Sequence, residues 1–272
     1  MWFVEFFRRC FGYRFPRLGA AANNLFVKIA PRFIETDLFP GIAMRLDMRD
    51  LTQRATYWQG SRFEYPTAHI LADWGNQGAA AFFDIGSNYG FFSYWMLSNF
   101  PQLVVYSFEP NPLTFKFVES VKTANRLGNL HPQAMGLSDA RESLPLHLAV
   151  TDSGHSTFGD HPGLRGAEIA HIPLAPFDQW CAEQGIAIPA SPQWVAKIDV
   201  EGFELRVLKG MAASLRARAF IGLVVEINPF TLEFTGASAD QILAFMTAHG
   251  YKLMHSLDAF GKGNANAFFI PA

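Results

Sequence analysis

A segment rich in glycine and asparagine, Phe83-Asp-Ile-Gly-Ser-Asn-Tyr-Gly-Phe-Phe92, stands where an apolar strand would turn into a helix. Gly86 and Gly90 allow a tight turn and let a ligand approach the backbone closely. Asp84, at the carboxyl end of the strand, can accept hydrogen bonds from a cationic or amine-bearing ligand. Because the segment lacks the Gly-x-Gly-x-x-Gly run and the Lys-Ser/Thr pair of nucleotide loops, it favours another kind of small-molecule site. A strand, turn and helix without function would also fit.

An acidic residue, Glu109, ends the next apolar segment within Ser107-Phe-Glu-Pro-Asn-Pro112. It follows Gly86 by 23 residues, close to the spacing of about 20 residues at which Rossmann folds place the carboxylate that binds ribose hydroxyls. The alternative is a charge near a helix N-terminus, where the helix dipole favours it. With the glycine segment at the matching distance, ribose binding is the preferred interpretation.

A third segment, Val195-Ala-Lys-Ile-Asp-Val-Glu-Gly-Phe-Glu204, closes another apolar strand with several charges. Ligands of open α/β sheets bind beyond the carboxyl ends of the strands, so Asp199 should face the crevice opposite the glycine turn. Glu201 follows it and is a second candidate for chemistry. The structural alternative is an ion pair between Lys197 and Glu204, with Glu201 capping the next helix.

A fourth segment, Val224-Val-Glu-Ile-Asn-Pro229, places Glu226 and Asn228 at the end of a further strand. Asn228 would equally well begin a turn before the proline. Together with Asp199, these two residues offer oxygen ligands that could hold Mg²⁺. We expect a reaction without a metal, and loss of activity with EDTA, restored by Mg²⁺, would support the metal alternative.

The elements that must position these residues alternate between strand and helix from about residue 80, which predicts an α/β fold with a parallel sheet. The predicted strands are 80–84, 103–108, 133–137, 194–199, 220–227, 251–256 and 266–270. The predicted helices are 91–99, 113–127, with Gly128 at the end, 176–184, 203–216 and 240–249. Residues 138–175 are expected to be an irregular insertion and a candidate lid, with one alternating stretch at 144–150.

The composition limits the function further. The chain has 272 residues, half of them hydrophobic, so it can bury a sizeable core. Its formal net charge is −2 with no basic patch, which argues against nucleic acid as a partner. The two cysteines, Cys10 and Cys181, have no metal-ligand or redox spacing, so a reduced, cytoplasmic setting is expected.

The N-terminal residues form an aromatic extension interspersed with arginines. We expect residues 1–75 to comprise this extension (1–35) and a lead-in of strands and helices (42–75), followed by a catalytic domain at 76–272. No apolar run is long enough for a membrane span, and the start does not resemble a signal peptide. The extension is interpreted as a helix docked on the domain or on another subunit, or as a peripheral contact with the cytoplasmic face of a membrane. The aromatic residues concerned are Trp2, Phe3, Phe6, Phe7 and Phe11.

Taken together and in order, the four blocks DIGSNYGFFS, FEPNP, KIDVEGFELRVLKGM and VVEINP resemble the FkbM-type methyltransferases. The similarity covers about residues 80–270, with a weaker likeness at Gly60-Ser-Arg-Phe-Glu64. It implies a class I methyltransferase fold, which is Rossmann-like, with a seven-stranded, mostly parallel sheet and helices on both faces. It also implies S-adenosylmethionine (SAM) as methyl donor and O-methylation of sugars or natural-product hydroxyls.

The resemblance also implies roles for single residues. The methionine end of SAM would be lined by Asp84, Gly86, Ser87, Asn88 and Gly90, where Ser87 replaces the family's common alanine. Glu109 would hold the ribose, and three further residues would lie near the adenosine, namely Asn111, Ser138 and Asp139. Asp199 would also contact the cofactor. The family's Thr-Leu-Asp reads Leu174-Ala-Pro-Phe-Asp178 here, so no role is assigned to that stretch.

Methyl transfer to a weakly nucleophilic hydroxyl should be helped by a base that removes its proton. The candidates are Asp199, Glu201 and Glu226, with His155 as a further one. Asn228 stands where the family often has a histidine, so no base is expected at that position. The alternatives are a non-catalytic SAM-binding scaffold and a methyltransferase acting on nitrogen of a small molecule. A Rossmann dehydrogenase does not fit the glycine pattern, and a nucleic-acid methyltransferase lacks the Asn-Pro-Pro-Tyr-like motif.

Overall fold

Strands and helices alternate along most of the described chain. The computed structural model describes residues 31–60, 63–149, 154, 156–159, 167–256 and 265–272. Its strands are β1 (Phe33–Phe39), β2 (Ile42–Asp47), β3 (Ala81–Ile85), β4 (Val104–Phe108), β5 (Leu130–Gln133), β6 (Gly136–Leu137), β7 (Glu142–His147), β8 (Ile169–Ala175), β9 (Trp194–Ile198), β10 (Phe220–Ile227), β11 (Tyr251–Ser256) and β12 (Ala265–Pro271). Its helices are α1 (Leu51–Gln59), α2 (Tyr65–Asn76), α3 (Phe91–Asn99), α4 (Pro112–Asn125), α5 (Phe177–Glu183), α6 (Glu204–Gly210), α7 (Ala212–Arg216), α8 (Pro229–Phe234) and α9 (Ala239–Ala248).

Seven of the strands form the central sheet, in the order β11-β12-β10-β9-β3-β4-β5. The five strands from β10 to β5 pair in parallel, whereas β12 is antiparallel to both β10 and β11. Every residue of β3 and β9 is buried, as expected for parallel strands that are covered on both faces. The predicted α/β fold, with a seven-stranded, mostly parallel sheet and a closing antiparallel hairpin, is therefore confirmed.

Two hydrophobic cores lie on opposite faces of this sheet. Successive strand residues point to opposite faces, so Phe82 and Val195 belong to one core while Phe83 and Ala196 belong to the other. Side chains of α1 to α4 complete the first core, and side chains of α5 to α9 complete the second. This arrangement confirms the predicted helices on both faces and leaves the carboxyl ends of the parallel strands at one open edge.

The lead-in elements pack on the first core, directly against the sheet. Trp74 of α2 fits over Gly222 of β10, where a Cβ atom would lie only 2.3 Å from the indole ring. The same indole makes an edge contact with Phe268 of β12, with 6.4 Å between ring centroids. These contacts fix α2, and the loop that precedes it, beside the strands at the end of the sheet.

The prediction of one strand at 133–137 was wrong. The chain forms β5 earlier, in the central sheet, and then β6, which joins β7 and β8 in a separate three-stranded sheet. The insertion at 138–175 is therefore not wholly irregular, because it begins and ends in paired strands. The alternating stretch at 144–150 was the signal for β7. Residues 150–153, 155 and 160–166, the centre of the candidate lid, lie outside the described residues.

Three helix predictions also need correction. The helix predicted at 203–216 is divided into α6 and α7 at Met211, which adopts a non-helical backbone conformation. The left-handed residue that ends α4 is Arg126 and not Gly128, because the helix stops two residues earlier than predicted. The short helix α8 was missed, although Asn228 caps it and a proline follows at its first position, which are both ordinary start signals.

The N-terminal extension falls largely outside the described residues. Residues 1–30 contain the five aromatic side chains predicted to contact a membrane or another subunit, together with Cys10. The predicted end of the extension, at residue 35, lies inside β1, which already begins at Phe33. Cys181 is buried as a free thiol. Within the described residues, no helix combines the length and the hydrophobicity needed to cross a membrane.

Candidate functional site

Two adjoining cavities open at the carboxyl edge of the central sheet. The first cavity lies over β3, β4 and β9 and is lined by residues that include Ile85, Phe108, Glu109, Met135, Leu137, Phe158 and Phe203. The second cavity lies beside β9, β10 and β12 and is lined by residues that include Thr52, Phe63, Glu64, Asp84, Phe92, Lys197, Glu226 and Asn266. Both are lined by Gly86, Asn88, Gly154, Asp199 and Glu201, so they form one continuous cleft.

The turn after β3 is set by Gly86, which has a φ of +79°. A Cβ atom there would lie 1.8 Å from the carbonyl oxygen of Asp199, so only glycine allows the ends of β3 and β9 to come this close. The backbone N–H groups of Gly86 and Ser87 both donate to the carbonyl oxygen of Phe108, at 3.0 Å. The turn is thereby tied to both neighbouring strands. Gly90, also left-handed, then begins α3.

Glu109 lies buried at the end of β4 and lines the first cavity. Its two carboxylate oxygens accept hydrogen bonds from the backbone N–H groups of Asn88, at 2.6 Å, and Asn111, at 2.8 Å. Burial raises the pKa of Glu109 to about 7, although these hydrogen bonds oppose the change. The carboxylate is held rigidly and can accept hydroxyl donors from a ligand in the cavity.

Asp84 is buried below the second cavity, where its Oδ2 atom accepts hydrogen bonds from the Ser93 backbone N–H and hydroxyl, at 3.0 and 2.6 Å. Burial raises the pKa of Asp84 to about 6, and the charge of Lys197 opposes this change. The neighbouring Ser87 accepts a hydrogen bond from Ser107 at 2.7 Å, so its hydroxyl serves the contact with β4. Asn88 presents a buried Oδ1 atom that has no hydrogen-bond partner among the described residues.

The ammonium group of Lys197 is the centre of charge in the second cavity. It is buried, donates to Asp199 Oδ2 at 2.6 Å and lies 5.0 Å from the centre of the Phe92 ring. Burial alone would lower the pKa of Lys197, but the carboxylates of Asp199, Glu226 and Asp84 outweigh it and raise that pKa. Lys197 therefore stays protonated and balances several carboxylates at once.

The three predicted catalytic residues come together here. One carboxylate oxygen each of Asp199, Glu201 and Glu226 lies within 4.8 Å of the others. Burial raises the pKa of Glu226 well above its ordinary value, and the nearby Asp199, which shares a hydrogen bond with it, raises it further. Glu226 therefore keeps its proton above the usual titration range of a carboxylate and shares a hydrogen bond with Asp199.

Asn228, the third residue considered as a ligand for Mg²⁺, caps a helix. The Oδ1 atom of Asn228 accepts a hydrogen bond from the Phe230 backbone N–H at 3.1 Å and so caps α8. The arrangement of Asp199, Glu226 and Asn228 considered for Mg²⁺ stays a prediction, and the structure gives Asn228 a structural contact. In this structure, Glu201 stands with the other two carboxylates instead.

Three residues predicted near the adenosine do not line either cavity. The Asn111 side chain caps α4, accepting from Leu113 N at 3.0 Å and donating to Ser156 Oγ at 3.2 Å. Ser138 is buried, and its hydroxyl donates to Asp139 at 3.2 Å. Partial burial opposes ionisation of Asp139, but an ion pair with Arg206 at 2.7 Å lowers its pKa. Their predicted role as cofactor ligands stays a prediction, and the structure gives each of them a structural contact.

The structure does not bear out the alternative of an ion pair between Lys197 and Glu204. Lys197 binds Asp199, two residues away, because alternate residues of a strand share a face. Glu204 instead accepts hydrogen bonds from the backbone N–H groups of Val200 and Gly202, both at 3.1 Å. Glu201 does not cap α6, whose N-terminal flanking residue is Phe203. His155, the further candidate base, lies outside the described residues.

Four lining residues of the second cavity come from the lead-in and from β12, where no site residue was predicted. The lead-in supplies Thr52, Phe63 and Glu64, and β12 supplies Asn266. The Nδ2 atom of Asn266 donates to Glu64 Oε2 at 3.4 Å across 202 residues of sequence. Asn266 stands opposite Glu226 in the register of β10 and β12. The only sequence signal was the weak family likeness at residues 60–64, and nothing marked Asn266.

Comparison with known proteins places the chain among methyltransferases. The family described as "Methyltransferase FkbM domain" matches residues 84–253. A curated relative, "Methyltransferase 1" of Beauveria bassiana (strain ARSEF 2860), is 26% identical over 141 residues, covering 47% of this chain and 57% of the relative. The chain thus spans little more than half the length of that relative.

Solved structures with a similar chain course include two further methyltransferases. Precorrin-6y C5,15-methyltransferase from Geobacter metallireducens GS-15 aligns with a TM-score of 0.44 and 10% identity, over 75% of this chain and 87% of that one. Magnesium protoporphyrin IX methyltransferase from Synechocystis PCC 6803 aligns with a TM-score of 0.45 and 10% identity, over 82% of this chain and 84% of that one.

Proposed function

This chain belongs to the FkbM family of SAM-dependent methyltransferases, and we propose that it methylates a hydroxyl group of a small molecule. The acceptor class is a sugar, a glycan or a natural-product intermediate. The observation that carries the proposal is the group of Asp199, Glu201 and Glu226 beside Lys197, because it puts a proton acceptor at the wall shared by the two cavities.

The residues of the cleft fit SAM. Glu109 lines the first cavity as a buried carboxylate suited to the ribose hydroxyls. Asp84 and the unpartnered Oδ1 atom of Asn88 offer acceptors for the amino group of the methionine part. When bound, SAM supplies a methyl group on a positively charged sulfur, and the carboxylates around the second cavity favour that charge.

The base follows from the arrangement of charges. A hydroxyl must lose its proton as the methyl group is transferred, and an ionised carboxylate close to it can accept that proton. Lys197 pairs with Asp199 at 2.6 Å, which favours the ionised form of that carboxylate, while Glu226 shares its hydrogen bond with Asp199. We assign Asp199 as the proton acceptor, Glu226 as the group that tunes its basicity, and Glu201 as a second acceptor at the cleft wall.

The first experiment is calorimetric titration of SAM and S-adenosylhomocysteine (SAH) into the wild type and into Glu109→Ala. We expect micromolar binding by the wild type and its collapse in the variant, because the ribose loses a buried acceptor. If folded wild type binds neither compound, the proposal fails. Binding without release of SAH from SAM across a broad panel of hydroxyl acceptors would support the non-catalytic scaffold instead.

The base is tested by the pH dependence of turnover in Glu226→Gln. Loss of the Glu226 proton makes the neighbouring Asp199 a stronger proton acceptor, and burial raises the pKa of Glu226, so wild-type turnover should rise with pH above the usual titration range of a carboxylate. In Glu226→Gln the rise should disappear and the rate should fall by about 100-fold, within the usual contribution of general-base catalysis. An unchanged pH profile would remove the pair from the reaction and favour a nitrogen acceptor, which needs no such base.

A further inference from the structure

We propose that Glu64, Asn266 and the aromatic wall of the second cavity form an acceptor subsite that selects molecules carrying a protonated amine near the target hydroxyl. The same subsite disfavours acceptors that carry a carboxylate or a phosphate. This inference rests on the proposed function, since it describes the molecule that the same cleft would methylate. It assigns acceptor selection to the lead-in, which lies outside the residues matched to the family.

Glu64 is placed to contact a ligand in the second cavity. It precedes α2 in a left-handed conformation, with a φ of +51°, and its side chain does not cap that helix. Its carboxylate lines the second cavity, where burial raises its pKa and the nearby charge of Lys197 opposes that change. The hydrogen bond that it accepts from Asn266 is long, at 3.4 Å. A carboxylate so placed can accept a strong hydrogen bond from a ligand cation.

Carboxylates outnumber cations among the described residues that line the second cavity. Five carboxylate residues line the second cavity, namely Glu64, Asp84, Asp199, Glu201 and Glu226. Among its described lining residues, Lys197 is the cation, and its ammonium is already paired with Asp199. The cavity remains negative even when Glu226 keeps its proton, so an anionic acceptor would be repelled and a cationic one attracted.

Aromatic side chains form one wall of the second cavity. Phe63 of the lead-in packs edge-on against Phe91, with 5.2 Å between ring centroids, and Phe92 lies under the Lys197 ammonium. All three rings line the second cavity beside Glu64. Aromatic faces next to carboxylates attract ammonium groups through the ring quadrupole and also contact the apolar face of a sugar ring. The wall thus suits an amino sugar better than a neutral one.

The subsite also explains why the methyl group would go to oxygen. An amine bound to the Glu64 carboxylate stays protonated, so its nitrogen lone pair is occupied by a proton and cannot attack the methyl group. The hydroxyl on the same molecule loses its proton to Asp199 and forms the new bond from oxygen to the methyl carbon. The bond from the methyl carbon to the donor sulfur breaks, and its electron pair stays on sulfur.

The test uses three probes with the full chain loaded with SAH, namely the methyl glycosides of glucosamine, glucose and glucuronic acid. Their binding is measured by calorimetry in the wild type, in Glu64→Gln and in Glu35→Gln. Glu35 is an exposed glutamate on β1 of the same lead-in, so its variant controls for the loss of one negative charge. SAH binding is measured first in each protein.

We expect the wild type to bind the glucosamine glycoside about 10-fold more tightly than the glucose glycoside, and the glucuronide least. Glu64→Gln should reduce the preference for the amine to less than 3-fold without changing SAH binding, whereas Glu35→Gln should keep it. The inference would be overturned if the wild type did not bind the probes in this order, or if the preference for the amine survived in Glu64→Gln. It would also be overturned if no probe bound saturably at millimolar concentration.

Product analysis separates this inference from the proposed function. Mass spectrometry and NMR of the product formed with SAM show whether the methyl group lies on oxygen or nitrogen. A methyl group on the amine nitrogen would overturn both the O-methylation proposal and the role of Glu64 in keeping the amine protonated. Failure of the wild type to bind SAH contradicts the proposed function, whereas SAH binding without amine preference contradicts only the subsite.

Discussion

The two cavities of the cleft hold their carboxylates in different ways. In the first cavity, Glu109 is held by two backbone N–H groups that belong to neighbouring loops. In the second cavity, Asp199 and Glu226 are held mainly by each other and by the ammonium of Lys197. The first arrangement depends on the course of the backbone, and the second depends on a balance of side-chain charges. The same chain thus combines a rigid binding region with one that a single charge change can alter.

Gly86→Ala should distort the backbone turn that lines both cavities. The added Cβ would lie 1.8 Å from the Asp199 carbonyl oxygen, and the residue would keep a φ of +79°. We expect a loss of about 4 kcal/mol or more in the free energy of unfolding, together with loss of SAM binding. Thermal unfolding and calorimetry check this. Gly128→Ala is the matched control, because its Cβ would meet no atom within 4 Å and it should unfold like the wild type.

Lys197→Met removes the positive charge that balances the carboxylates of the second cavity. Removing the ammonium leaves the buried Asp84 and the partly buried Asp199 and Glu226 without their cation, which should cost roughly 3–5 kcal/mol of stability. Because those carboxylates can take up protons instead, the loss should be greater at pH 8 than at pH 5.5. Denaturant unfolding at both pH values measures it, with Lys209→Met, at an exposed position of α6, as control. Equal destabilisation at the two pH values would contradict the described balance.

The first cavity is tested by Glu109→Gln. Loss of a charged hydrogen-bond acceptor for the ribose should weaken SAM binding about 10- to 100-fold. Because burial raises the pKa of Glu109 to about 7, the carboxylate is mostly protonated below that pH and ionised above it. SAM binding by the wild type should therefore tighten between pH 6 and pH 8, and binding by Glu109→Gln should not. Calorimetry at several pH values measures this affinity. A wild type whose SAM affinity does not change with pH would exclude ionised Glu109 as the ribose acceptor.

The smallest effect is expected for Asp139→Asn. The sequence assigned this residue to the adenine, but the structure places it in an exposed ion pair with Arg206. Its replacement should change SAM affinity by less than about 2-fold and stability by less than about 1 kcal/mol. A loss of SAM affinity comparable to that of Glu109→Gln would show that the family role applies here and that the ion pair rearranges.

The parts of the site that could be predicted from the sequence are those built within one strand, turn and helix. Gly86, Asn88 and Glu109 belong to two such units, and parallel strands bring their carboxyl ends to one edge of the sheet. Asp199 and Glu226 follow from the same rule, so their meeting could be predicted as well. Their electrostatic partner was less certain, because the sequence also allowed Lys197 an ion pair with Glu204, and the structure pairs it with Asp199.

The rest of the second cavity depends on packing that no local pattern records. Glu64 reaches the cleft because Trp74 of α2 packs over Gly222, and Asn266 reaches it because β12 inserts between β10 and β11. Hydrophobic periodicity predicts a strand or a helix but not the strand beside which it will lie. The lead-in could therefore be identified as a set of elements, while the particular residues that it places in the site could not.

The hydrogen bond between Glu64 and Asn266 also has a consequence for the order in which the enzyme gains its abilities during folding. The Asn88–Glu109 contact of the first cavity closes a chain segment of only 21 residues, whereas the Glu64–Asn266 contact spans 202. Contacts between distant residues carry a larger loop-closure cost and tend to form later. A refolding enzyme should therefore recover the ability to bind SAM before it recovers the ability to choose an acceptor, which stopped-flow fluorescence and quenched-turnover assays would resolve as two successive phases.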